Sequence, residues 1–176
     1  MSQPSTPDGR LLRVLSVRQP FASAILHGGK NVENRKTAPQ IAGVVKGDPW
    51  VPRWVVLHAG AAWYDAPGVS LAETLRSVRS RWPTMPPREE FLHGHALGIV
   101  RIVRVLYPQT RASDWRDPIL QGNPWAHGPV CWILDHPLPF PEPVRCKGRL
   151  GLFHPNAAVR AAGERALGVA RDRGLL

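Results

Sequence analysis

The chain has 176 residues, 43% of them apolar and 20% charged, a composition that excludes a disordered chain and suits one domain with its own core better than two. Lysine and arginine outnumber the acids by 23 to 13, a net charge of +10. That balance favours partners that carry phosphate, although only four of the 23 are lysines and a genomic bias toward arginine produces the same excess.

Residues 1–10 are polar, contain Pro4 and Pro7, and read as a flexible tail without the apolar core of a secretory signal. No window reaches the roughly 18 consecutive apolar residues of a membrane span, so a soluble, cytoplasmic protein is expected. Arg13 to Val17 is a short β-rich run, and Pro20 opens a helix to about His27 that ends at Gly28-Gly29. Lys30 to Arg35 is expected to be extended, Lys36 to Pro52 a loop, Trp54 to Ala59 a strand, and Gly60 to Gly68 its closing turn. Ser70 and Glu73 make a capping box for a helix whose apolar stripe is Leu71, Leu75, Val78 and Trp82. Met85 to Gly94 reads as a loop and Ala96 to Leu106 as a long, bent strand, with a helix as the alternative. The stretch from Tyr107 to Gly128 carries Trp115 and Trp125 and reads as a long loop, a kind that is often functional. Val130 to Leu134 is a strand, Pro137 to Pro143 a sheet edge or loop, and Val144 to Phe153 a final strand. Asn156 caps a last helix to about Arg171. Cys131 and Cys146 lie in different apolar segments and are expected to be reduced thiols.

Five or six strands without one helix per strand argue against a doubly wound parallel sheet. The α+β alternative is a small open mixed β-barrel with two or three peripheral helices, made by residues 11–155 and followed by the C-terminal helix within 156–176.

The run L-S-V-R-Q-P-F-A from Leu15 to Ala22, followed by G-G-K-N-V-E-N-R from Gly28 to Arg35, resembles the signature of the ASCH family within the PUA-like superfold. The strand ending at Ala59, the run A-L-G-I-V-R-I-V-R-V and the segment C-K-G-R-L-G-L-F agree with it in order. The resemblance implies an open barrel whose motif residues line a cleft for a nucleotide or RNA. Some members resemble amidohydrolases of N4-acetylcytidine, and others are linked to RNA cleavage or to binding alone. The amidohydrolase pattern has a lysine, matched by Lys30, a threonine where this chain has Glu33, and a later glutamate. Beyond Leu106 the first acids here are Asp114 and Asp117, with no glutamate before Glu142, a departure from that pattern.

Read from the residues themselves, Glu33 and Arg35 share one face of an extended segment. Arg35 offers a donor fork for carboxylate or phosphate, and Glu33 an acceptor for an exocyclic amine. Lys30 serves as a phosphate-binding charge, or as a base if burial removes its proton. The sign of that shift is open in the sequence, because Arg35 and Glu33 act in opposite directions; an ion-pair cluster that merely ties helix to barrel is the competing reading. Lys30 and Glu33 are therefore the catalytic candidates, and Ser16, Gln19, Arg35, His58 and Trp125 the ligand-binding ones. Ser16 and Gln19 either donate to a base edge or satisfy the turn between strand and helix. His58 ends a strand at a barrel mouth or is a buried structural histidine, and Trp115 and Trp125 either stack on bases or cover the core. His93 and His95 have no Cys pair nearby, and neither a metal site nor a cofactor is expected. The expected partner is RNA or a modified nucleoside or nucleotide, without membrane association. A protein-interaction or co-regulator module is the alternative, separable from RNA binding by its weaker dependence on salt.

Overall fold

The computed structural model describes residues 12–39 and 53–176; the expected tail and most of the expected 36–52 loop lie outside the described residues. Six strands form one mixed half-barrel sheet: β1 (Arg13–Gln19), β2 (Val32–Arg35), β3 (Arg53–Trp63), β4 (His95–Leu106), β5 (Val130–Arg145) and β6 (Leu152–Phe153). Their order is β2-β5-β4-β3-β1-β6, with β1 parallel to β3 and every other pairing antiparallel. Three α-helices flank the sheet: α1 (Phe21–His27), α2 (Leu71–Arg81) and α3 (Ala157–Asp172). None of the described helices is long and apolar enough to cross a membrane.

Strand alternation divides the apolar residues between two faces. Leu15 and Val17 of β1 and Val55, Leu57 and Ala59 of β3 face one core, which α1 closes with Ala22 and Ile25. Val14 and Val56 face the other, where α3 packs Val159, Ala162, Ala166 and Ala170. Residues 156–176 thus contribute a wall of the domain, because α3 covers sheet residues that would otherwise lose their burial. A third cluster joins α2 to the long loop through Val78, Trp82, Leu120 and Trp125.

Helix signals read from the sequence hold to within a residue or two. The Ser70 hydroxyl accepts from the Glu73 N–H while the Glu73 carboxylate accepts from the Ser70 N–H, and Asn156 Oδ1 accepts from the Val159 N–H. Two strand expectations are corrected. Gly60 to Trp63 continue β3 where a turn was expected, and Tyr64 N–H then donates to the Gln19 carbonyl. The segment from Val144 to Phe153 is not one strand: Val144 and Arg145 end β5, residues 146–151 form a loop, and only Leu152–Phe153 pair with β1.

The proline-laden segment belongs to β5. Proline occupies every second position from Pro137 to Pro143, so the missing N–H groups fall on one side of the strand, while Leu138 and Phe140 point into the α3 core. Here β5 pairs only with β4, and an open edge tolerates the lost donors.

Candidate functional site

The motif segment is held between α1 and β5. Gly29 adopts φ +69° at the helix end, a conformation glycine takes at little cost, and the chain then turns into β2. Register sets Glu33 opposite Trp132 and Arg35 opposite Val130. Glu33 and Arg35 share a face, as the two-residue period requires, and Lys30 comes to the same place from the turn.

Lys30 Nζ lies 3.0 Å from Glu33 Oε2, and the two side chains are only 3% and 9% exposed. It also donates to the Val32 carbonyl. Glu33 Oε1 lies 3.0 Å from Arg35 Nε, but that N–H makes no directed hydrogen bond, so the contact is one of charge. Arg35 Nη2 donates to the Ser16 carbonyl at 2.7 Å, and the guanidinium lies over the Trp132 ring, 5.5 Å from its centroid. The three charged groups thus form a row in which Glu33 serves two cations. Burial pushes the Lys30 ammonium below its ordinary range, Glu33 opposes the shift and Arg35 adds to it. The sign left open by the sequence is therefore downward, because desolvation is a property of the packed structure.

These residues open onto a cleft of about 610 Å³, within the range of ligand pockets. Ser16, Lys30, Glu33 and Arg35 line it, and Arg18 and Arg149 add two cations, whereas Glu33 is the single acid among its described lining residues. A second compartment of about 610 Å³ adjoins it, sharing Asn34, Arg35, Tyr64, His127 and Gly151.

Ser16 lies opposite His58 in the parallel β1·β3 register. His58 Nε2 is 3.1 Å from the Cys146 carbonyl; a carbonyl only accepts, so Nε2 carries the proton. Burial lowers the His58 pKa and keeps the ring neutral, so Nδ1 accepts from the Ser16 hydroxyl at 2.9 Å. The loop 146–151 passes close over this pair. A Cβ on Gly148 would stand 2.7 Å from His58 Cε1 and 2.9 Å from Ser16 Oγ, so glycine is required there for space.

Three expected ligand contacts are not brought to the cleft. Gln19 is fully buried and satisfies the start of α1, donating to Ser23 Oγ and the Leu92 carbonyl and accepting from the Ser23 N–H. His58 is equally buried, behind Ser16. Trp125 is 4% exposed and packs in the α2 cluster with Arg81 over its ring, while the exposed Trp115 does not line either compartment. The long loop reaches the site instead through His127. Asn34 holds it there: its Oδ1 accepts from the His127 and Gly128 N–H groups at 3.0 and 2.8 Å, and its Nδ2 donates to the Trp125 carbonyl at 2.7 Å. Asn34, Tyr64 and His127 were missed by the sequence reading; the length of the loop was the one signal pointing toward His127. Cys131 and Cys146 are free thiols whose pKa values burial raises. Among the described residues no group of three or more His, Cys, Asp or Glu is placed to hold a metal ion.

The sheet is thus a mixed six-stranded half-barrel flanked by three α-helices, with Lys30, Glu33 and Arg35 beside a cleft. The sequence profile of the ASCH domain matches residues 15–142, and the chain belongs to the ASCH family, which is linked in general to RNA binding. Among solved structures, the ASCH protein of Zymomonas mobilis is similar with a TM-score of 0.43 and 13% identity, over 86% of this chain and 92% of that one. No curated protein matches the chain.

Proposed function

We propose that the chain is a binding domain for RNA or a nucleotide, with the ligand in the cleft bordered by Lys30, Glu33 and Arg35. One observation carries this reading: among its described lining residues the cleft brings together four cationic side chains, Arg18, Lys30, Arg35 and Arg149, against a single acid. Glu33 is already engaged by Lys30 and Arg35, so the remaining positive charge calls for an anion. Ser16 contributes a hydroxyl whose proton is committed to His58, which leaves its oxygen as an acceptor.

Hydrolysis of an N-acylated cytidine is the second reading, and the lowered pKa of Lys30 favours it. A neutral amine has two N–H bonds for Val32 and Glu33 and one lone pair left to take a proton from water. The cleft supplies no second acid among its described lining residues, so binding without turnover is the primary reading.

Calorimetric titration with nucleoside monophosphates and short single-stranded RNA, at two salt concentrations, tests the proposal. Affinity is expected to fall as salt rises and to drop at least about ten-fold in Arg18→Ala/Arg149→Ala, whose side chains are exposed and whose loss spares the core. Affinity indifferent both to salt and to that double substitution overturns it. Incubation with N4-acetylcytidine, with Lys30→Ala as the control, decides the hydrolytic reading.

A further inference from the structure

The two compartments share a wall, and the residues of that wall are suited to a ligand that crosses it. Arg35 stands between them, fixed by the Ser16 carbonyl, by Glu33 and by the Trp132 ring beneath it, with 29% of its side chain open to solvent. Tyr64 borders both spaces and leaves 40% of its surface exposed, its ring braced edge-to-face by Phe21 at 4.9 Å. The exposed Tyr64 ring and the Arg35 guanidinium thus border the same two spaces, which matches the recurring pairing of a base platform with a phosphate contact. His127 faces Tyr64's two compartments from the long loop, anchored by Asn34. Partial burial, with Arg81 and Lys30 nearby, moves its pKa down from the ordinary imidazole value. Lys36 is exposed and lines the second compartment alone, whereas Arg18 and Lys30 line the first alone.

Building on the nucleotide-binding reading above, we propose that the ligand is a single-stranded oligonucleotide of at least two nucleotides, with one nucleotide in each compartment, the linking phosphate at Arg35 and Tyr64 as the stacking platform. A mononucleotide fills the first compartment and leaves the second empty. A dinucleotide adds a base in the second and sets its one linking phosphodiester at Arg35, and a longer strand brings a further phosphate to Lys36.

The test compares the four nucleoside monophosphates with the corresponding homodinucleotides and homotetranucleotides by calorimetry or fluorescence anisotropy. The best dinucleotide is expected to bind at least about ten-fold more tightly than its mononucleotide, the scale of one stacked base. The salt dependence should steepen by about 0.7 in log–log slope for each added phosphate contact. Lys36→Ala should weaken tetranucleotide binding about three-fold or more and leave the mononucleotide unchanged. Tyr64→Ala should remove most of the dinucleotide advantage and Tyr64→Phe should keep it, because the ring and not the hydroxyl forms the platform. Equal affinity for mononucleotide and dinucleotide, or a dinucleotide advantage that survives Tyr64→Ala, overturns the two-compartment proposal. If mononucleotide binding is still sensitive to Arg18→Ala/Arg149→Ala, the broader reading stands without it. Absence of binding by all of these ligands overturns both.

Discussion

Glu33 stands between two cations, 3.0 Å from Lys30 Nζ and 3.0 Å from Arg35 Nε, so removing one end of the row and removing its middle are not equivalent. Removing Lys30 leaves Glu33 paired with Arg35. Removing Glu33 leaves two cations facing each other, one of them buried. We therefore expect Lys30→Met to cost about 1 kcal/mol and Glu33→Leu about 3–5 kcal/mol of unfolding free energy, the range for an uncompensated buried charge. Urea unfolding of both variants and of the double variant measures this. Equal costs for the two single variants would contradict the arrangement.

Asn34 ties the long loop to the motif strand with three hydrogen bonds. In Asn34→Ala the buried Gly128 N–H loses its acceptor, which places the expected loss at about 2 kcal/mol. The same substitution should speed proteolytic cleavage within residues 107–128 and weaken nucleotide binding, because His127 is no longer held at the cleft. Limited proteolysis beside a binding titration separates the two effects; a loop that resists cleavage unchanged would show that Asn34 does not anchor it.

Acid should destabilise the fold below about pH 6.5. His58 titrates below its ordinary value of 6.5 because it is buried, and burial moves His27 and His127 the same way. Between each folded value and 6.5 the unfolded chain binds more protons, so stability rises with pH through that window and is lost as pH falls through it. Melting temperatures measured from pH 7.5 down to 5 should decline below 6.5. His58→Gln, which titrates in neither state, should flatten the slope by up to about one proton.

Gly98 lies at the bulge where β4 meets the proline segment of β5. A Cβ there would stand 2.9 Å from Pro139 Cα and closer still to the Leu138 carbonyl oxygen, and because the obstructing atoms are backbone of β5 they have little room to relax. Gly98→Ala should cost about 2–3 kcal/mol by forcing the strands apart. A thermal shift of less than a degree or two would mean that the strands separate easily.

The elements that local chemistry specifies were legible in the sequence: the capping box at Ser70 and Glu73, the Asn156 cap, the alternation of Leu15 and Val17, and the shared face of Glu33 and Arg35. Each depends on residues within a few positions of one another. The family motif was legible for the same reason, since it joins fixed residues at a fixed gap. Only the tertiary structure decided that Gly60 to Trp63 stay in β3, where pairing with β1, Trp63 opposite Gln19, overrides a glycine that reads locally as a turn. It also decided that Gln19 and Trp125 face inward while Asn34, Tyr64 and His127 reach the cleft, because which side of a strand or loop meets the cavity depends on partners up to a hundred residues away. The downward shift at Lys30 belongs to that second class: the charges beside it are written in the sequence, but the desolvation that outweighs Glu33 exists only once α1, β2 and β5 have packed around it.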